Sequence, residues 1–248
     1  MTMGSKQEIF RSIVRNRKTC TRFQPGRSIP EKVKDDILNS SLRSPSSFNL
    51  QPSQIILVES QDVKDTLSDH AMLGAGNKFR IRQCSAVAVF LSDLEPTKRV
   101  NRIYQLEKDH RHPNYRASFP LSTSFLLGEG HAANFIKGVA TNFLSSISPM
   151  PQIESVQAWS YKNTGFLAQT FVYSAESHDL ATTMMEGFDQ RRMKHILRIP
   201  DRYAIPLIVA TGYEYKKEQD ASNTSKETPR LDISEIVFSD KFGEVWKK

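Results

Sequence analysis

Two stretches of this chain of 248 residues carry side chains that could do chemistry by type and spacing alone. The first is Ser44-Pro45-Ser46-Ser47-Phe48-Asn49-Leu50-Gln51-Pro52, in which hydroxyls and amides sit between two prolines, just before the β-forming run Ile55-Ile56-Leu57-Val58. Donors and acceptors on a loop fixed to a buried strand suit a flat ligand with a polar edge. The prolines preset φ at two points and predict extended backbone at Ser44 and Gln51, which reduces the ordering cost of binding. The second is Arg17-Lys18-Thr19-Cys20-Thr21-Arg22-Phe23. Cations joined to hydroxyls in a short extended piece are what a phosphate needs, charge together with several close donors. By composition alone the two also read as an ordinary helix-to-strand connection and a solvated basic turn.

Other candidate clusters are weaker. Asn77 and Arg80, three apart, fall on one face of a short helix, and Glu186-Gly187 is a glycine-containing turn after a strand. His110 and His112 have no carboxylate at ligand spacing, and they read as a surface loop with no metal. Gly128-Glu-Gly130-His-Ala-Ala133 fits a dinucleotide-binding pattern superficially, but no βαβ context surrounds it. No Ser/His/Asp or Cys/His set is recognisable. Cys20 and Cys84, the only cysteines, lie far apart without metal spacing and read as structural.

The elements that must position these residues follow from periodicity. Residues 7–17 form an amphipathic helix with Ile9, Phe10, Ile13 and Val14 on its apolar face. A second helix begins with Pro30 at its first position and runs into the Ser44 loop, with Val33, Ile37 and Leu38 as its stripe. Residues 62–70 are helical, the Gly74-Ala-Gly76 run breaks the helix, and a strand covers 85–91. Residues 95–157 are the least legible; they include a helix over 132–144 and a proline-interrupted loop over 145–152. Residues 159–175, almost without charge, make a buried central helix. A basic helix over 190–197 precedes an apolar strand over 204–212, whose Pro206 puts its first residues at an edge or strand end. Residues 216–228 read as a polar linker before a C-terminal arm, 229–248, of a single domain spanning 1–248.

Composition supports a globular protein with a real core, 38% hydrophobic over 248 residues. No run approaches a membrane span, and the first ten residues lack the apolar stretch of a secretory signal, so the expectation is a soluble, cytoplasmic protein, an organelle not excluded. The net charge of +7 would suit nucleic acid, but no nucleic-acid-binding motif accompanies it, and aromatics are not interleaved with the basic cluster from Lys6 to Arg27. Anionic small ligands account for the charge equally well.

The nine residues from Ser44 to Pro52 closely resemble the SPSSxNxQPW loop of the FMN-dependent nitroreductase family, with Ser53 where the family usually has Trp. The similarity returns at four further places in the family's order. Arg17, Lys18 and Thr19 match the RRSxRxF segment that holds the FMN phosphate or ribityl chain, with Thr21 where relatives carry a cation and Arg22 next to it. Asn77 and Arg80 match the Asn and Lys/Arg pair at the flavin pyrimidine. Glu186 and Gly187 match the turn whose backbone N–H faces flavin N5. Arg230 matches the C-terminal Arg that closes on the phosphate, with Thr228 in place of a second cation and a following strand that joins the partner's sheet.

The resemblance, from residue 7 to about 245, implies an α+β fold with a mostly antiparallel central sheet flanked by helices. It further implies an intertwined homodimer that binds FMN through Arg17, Lys18, Thr19, Thr21, Pro45, Ser46, Ser47, Asn49, Gln51, Asn77, Arg80, Glu186, Gly187 and Arg230. No side chain is catalytic in this scheme: NADPH or NADH donates hydride to the flavin, and a nitroaromatic or quinone-like acceptor takes it in a ping-pong cycle. The alternatives are a dehalogenase-like or flavin-cleaving relative of the same fold, or a non-catalytic basic protein binding flavin or nucleic acid.

Overall fold

The computed structural model describes residues 5–127, 131–215 and 228–246. At its centre the run Ala86–Asp93 (β2) is buried at every position, as a strand covered on both faces must be. Ser53–Val58 (β1) pairs with it on one side and Tyr203–Gly212 (β4) on the other, while Ala181–Met185 (β3) pairs with β4. The order is β1-β2-β4-β3, antiparallel throughout.

Alternation along β2 divides the core in two. Val87, Val89 and Leu91 point into a cluster with Leu67, Ile81 and Met193, supplied by helices Gln61–His70 (α3), Ala75–Gln83 (α4) and Gln190–Leu197 (α9). Ala86, Ala88 and Phe90 face Ile37 of Glu31–Ser41 (α2) and Leu167, Phe171 and Val172 of Val156–Ser177 (α8). Phe90 and Phe171 meet edge to face, their ring centres 5.6 Å apart. The fold is therefore α+β, as expected, and α8 is the buried central helix. Helix Lys6–Asn16 (α1) lies on α8 through the Phe10–Tyr173 ring pair, but none of its residues is buried.

The least legible region holds Val100–Leu106 (α5), preceded by a 3-10 turn at Pro96–Arg99, then Pro113–Leu127 (α6), both unread, and His131–Leu144 (α7), the helix expected over 132–144. Val100, Ile103, Phe119, Leu127 and Trp159 enclose Leu50 in a third, smaller cluster beneath the Ser44 loop. The Gly128–Gly130 part of the dinucleotide-like pattern and residues 216–227 of the linker lie outside the described residues. Among the described residues no helix is long and apolar enough to cross a membrane.

Several boundaries depart from expectation for identifiable reasons. Pro30 is the N-cap of α2, not its first helical residue, with extended ψ of 142°. Only Gly74 breaks the chain before α4, at φ of 76°; Ala75 and Gly76 already belong to the helix. Pro206 sits in an interior strand opposite a register shift between Phe90 and Ser92, and β3 pairs only with residues 208–212. The missing N–H therefore costs no ladder bond, and that end of β4 lacks a neighbour on the β3 side, as the proline suggested.

Contacts divide the chain into Met1–Tyr215 and Lys216–Lys248. In the second unit the stretch after Arg230 begins with one helical turn, Ile233–Ile236 (α10), where a strand was expected. Asp232 caps it by accepting from the Ser234 N–H at 2.9 Å while Glu235 accepts from the Asp232 N–H. Among the described residues of the unit, β-pairing is a single bridge, Phe238 to Val245.

Candidate functional site

The basic segment after α1 runs extended along β3. Thr19 bridges Thr182, the Cys20 N–H donates to the Thr182 carbonyl at 3.0 Å, and the Thr183 hydroxyl donates to the Cys20 carbonyl at 2.5 Å. These bonds leave Lys18, Thr19 and Thr21 exposed and Arg17 half-buried at the end of α1, with Lys18 paired to Glu214 at 2.9 Å. The Arg22 guanidinium lies 4.1 Å over the Tyr215 ring, so it is engaged away from the position of the missing cation at Thr21.

β3 leads from this segment into Glu186-Gly187, and that turn is tied to the end of α3. The Leu73 N–H donates to the Gly187 carbonyl at 2.9 Å, the Asp189 N–H donates to the Ala71 carbonyl at 2.7 Å, and Met72 bridges Phe188. Asn77 comes so close that a β-carbon at position 187 would stand 2.6 Å from its Nδ2. Asn77 Oδ1 in turn accepts from Arg80 Nη1 at 3.1 Å. Glycine at 187 therefore makes room for Asn77, a reason that reading the isolated turn does not supply. Arg80 Nε is buried without a hydrogen-bond partner among the described residues, an orphaned donor that an acceptor on a ligand would satisfy. Burial pushes the Cys20 thiol up, while the Arg22 carbonyl contact and the nearby charges of Lys18 and Arg80 pull it partly back. Arg80 thus lies within electrostatic reach of the basic segment.

The Ser44 loop forms a second group. Its 3-10 turn, Ser47–Asn49, places Phe48, Asn49 and Gln51 at φ of 56°, 52° and 48°. The expected extended backbone at Gln51 is therefore corrected: the chain doubles back before Pro52. Left-handed non-glycine residues cost on the order of 1–3 kcal/mol each, and they persist only where the surroundings hold them. Most of the loop's polar atoms supply that hold. Ser44 Oγ lies 2.7 Å from Thr170 Oγ1, Asn163 Oδ1 accepts from the Ser47 N–H at 2.8 Å, and Ser46 Oγ accepts from the Gln51 N–H at 3.0 Å. Asn49 Nδ2 donates to buried Glu107 at 2.9 Å, and Gln51 Nε2 turns back onto Asn49. Pro45 and the Gln51 side chain remain exposed. Ser53, where the family usually has Trp, joins Thr164, whose hydroxyl also meets Ser92.

Ser53 and the Glu186 turn lie at the same end of the sheet, on outer strands, with β2 and β4 between them. Among the described residues no side-chain hydrogen bond joins the two groups directly. Arg230, exposed, donates to the carbonyls of its neighbours Thr228 and Pro229 within the C-terminal unit.

Sequence reasoning missed two residues that hold the loop, Arg99 and Glu107, because both lie in the stretch without readable periodicity. Burial pushes the Cys84 thiol up to about 12, so it stays protonated at neutral pH. An open groove of about 1010 Å³ lies apart from both groups, between Thr66 and the cationic face of α9 at Arg191, Lys194 and His195. It includes none of the residues picked from sequence.

Comparison with known proteins covers both groups. The family model described as the nitroreductase family matches residues 14–213. MhqN of Bacillus subtilis strain 168, provisionally named an NAD(P)H nitroreductase, is 22% identical over 205 residues, 83% of this chain and 88% of that protein. An NADH dehydrogenase of Thermus thermophilus is 28% identical over 185 residues, 75% and 77% of the two chains. Among solved structures, a nitroreductase family protein of Streptococcus pneumoniae superposes with a TM-score of 0.70 at 16% identity, covering 93% of this chain and 99% of that one. A provisionally named nitroreductase of Exiguobacterium sibiricum, solved in complex with FMN, gives 0.68 at 18% identity over 92% and 95%. With the model match running from the end of α1 through the last strand of the sheet, and the same fold in these structures, the chain belongs to the nitroreductase family.

Proposed function

We propose that the protein is an FMN-dependent NAD(P)H oxidoreductase that reduces nitroaromatic or quinone-like acceptors and works as a homodimer. The observation that carries this reading is the buried, unpartnered Nε of Arg80, beside Asn77 and the glycine turn that accommodates it. A cation fixed in this way stabilises negative charge that develops on a bound ring. The names of MhqN and the Thermus relative, and the FMN in the Exiguobacterium structure, support donor and cofactor.

The residues divide the work of holding the group. Arg17, Lys18 and Thr19 offer charge and a hydroxyl to the phosphate, with Thr21 beside them, and Arg230 of the C-terminal arm adds a second guanidinium. Asn77 and Arg80 would hold the pyrimidine edge of bound FMN, and the backbone at Glu186 and Gly187 would face its N5. Pro45, Ser46, Ser47, Asn49 and Gln51 form the rigid wall opposite. When bound, FMN supplies the redox chemistry, taking hydride from NAD(P)H and passing it to the acceptor in a ping-pong cycle. The chain supplies position, charge and exclusion of water.

The separation of the two groups supports the homodimer. Three inter-strand spacings, roughly 14 Å, divide the β1 edge from the β3 edge, so one chain presents two half-sites. A second copy would bring the loop of one chain to the Arg80 group of the other. Ile9 and Phe10 are 47% and 57% exposed on α1, an apolar surface that such a copy would cover.

The test is reconstitution. Wild-type protein should bind FMN at one per chain and scatter light as a dimer. Arg80→Ala should retain FMN while its reduction potential falls by some tens of millivolts, where 30 mV is about 1.4 kcal/mol for two electrons. An unchanged potential removes the role assigned to Arg80.

A further inference from the structure

The backbone that most needs holding in this protein is Phe48, Asn49 and Gln51, the three left-handed residues of the Ser44 loop. Two of them are gripped from one element, the Pro96–Arg99 turn and α5 that continues it. Arg99 Nη1 donates to the Gln51 carbonyl at 2.5 Å, and Glu107, capping the far end of α5, accepts from Asn49 Nδ2 at 2.9 Å.

Arg99 does not act from a loose surface position. Its Nε donates to Asp93 Oδ2 at 2.9 Å, and the Asp93 side chain is fully buried at the end of β2. The same carboxylate accepts from Arg202 through Nε at 2.7 Å and Nη2 at 2.5 Å, and from the Glu95 N–H at 2.9 Å. The Asp93 N–H donates to the Pro52 carbonyl at 2.7 Å, so the backbone on both sides of the Gln51–Pro52 bond is tied to this one residue, to its carboxylate through Arg99 and to its own N–H directly. Arg202 alone already pairs Asp93 bidentately. The second guanidinium is therefore not needed to neutralise the charge, and its remaining arm reaches out to the loop.

We propose that Arg99, oriented by Asp93, is a positioning residue that holds the Ser44 loop in the conformation that binds the flavin. The proposal rests on the reading above that this loop belongs to an FMN site. Asp93 and Arg202 form the anchor, Arg99 transmits it, and the Gln51 carbonyl is the point of application.

The architecture separates positioning from folding, because removing Arg99 leaves the Asp93–Arg202 pair intact. Arg99→Ala should therefore keep the melting temperature near that of wild type. It should speed amide exchange over residues 46–52 of the apo protein and weaken FMN binding, each about tenfold, the effect of losing one charge-assisted hydrogen bond. Arg99→Lys should keep the pairing with Asp93 but fail to restore either property, because one ammonium cannot serve both acceptors. Arg102→Ala, which removes an equal charge from an exposed position on α5, should change neither. Unchanged exchange over 46–52 in Arg99→Ala would overturn the positioning role, as would faster exchange with unaltered FMN affinity. Should the wild-type chain fail to bind FMN, the proposed function falls, while the exchange measurement on apo protein still decides what Arg99 does.

Discussion

Gly187 shows most clearly how one side chain's absence serves another. Gly187→Ala would place its β-carbon against Asn77 Nδ2, and Asn77 can retreat only by giving up its contact with Arg80. FMN affinity should fall at least tenfold, about 1.4 kcal/mol, as read by flavin fluorescence titration; wild-type affinity would mean that Asn77 and Arg80 do not act as a unit. Asp93 sets a pH dependence. Burial alone would raise its pKa, but hydrogen bonds from Arg202, the Glu95 N–H and Arg99 outweigh burial and hold it below the ordinary 3.8. The unfolded chain therefore takes up this proton first. The stability that Asp93 contributes is complete above about 3.8 and is lost as pH falls through the lower folded value. Asp93→Asn should destabilise the protein at pH 7 by roughly 2–4 kcal/mol and flatten that acid loss in urea unfolding. The figure stays under the upper bound for buried pairs because both arginines are about a quarter exposed. At this scale the types and order of the site residues were legible in the sequence, and their partners were not. Spacing puts Asn77 and Arg80 on one face, but only tertiary contact reveals that Gly187 exists to admit Asn77, or that Asn49 is committed to Glu107.

Elements with strong periodicity or continuous apolar runs were read within a residue or two, α1, α3, α7, α9 and β2, and the buried α8 was read three residues short at its start and two at its end. What failed was backbone that obeys tertiary demands. Gln51 is left-handed, its N–H bound by Ser46 Oγ and its carbonyl by Arg99, against the extended preference of a residue before proline. α5 and α6 escaped because their apolar residues serve a small cluster around Leu50 without a clean stripe. α1 raises the opposite question, since it is well capped by Ser5 and Glu8 yet buries none of its residues. In the proposed homodimer the exposed apolar face of this helix is what the second copy covers. Phe10→Glu should therefore shift the protein from dimer to monomer in light scattering and weaken FMN binding in parallel. A dimer that persists with Phe10→Glu would place the interface elsewhere.

Across the whole molecule, a four-stranded antiparallel sheet holds two polar groups apart at one end, each preassembled by its own contacts. The Arg80 group is rigid because β3 and the end of α3 tie its turn down, and the loop is rigid because α5, α8 and β2 tie it from three sides. Such half-sites have small ordering costs on binding, which favours tight retention of a cofactor over its exchange. Family membership fixes the fold, and the chemistry rests on whether these groups close around a flavin that turns over. The most direct measurement is anaerobic: purified protein reconstituted with FMN is mixed with NADPH, or with NADH, and then with a quinone or nitroaromatic. The account predicts that the visible flavin absorbance bleaches with the nicotinamide and returns in full with the acceptor. A protein that takes up no FMN, or whose bound FMN keeps its colour with both nicotinamides, would contradict it.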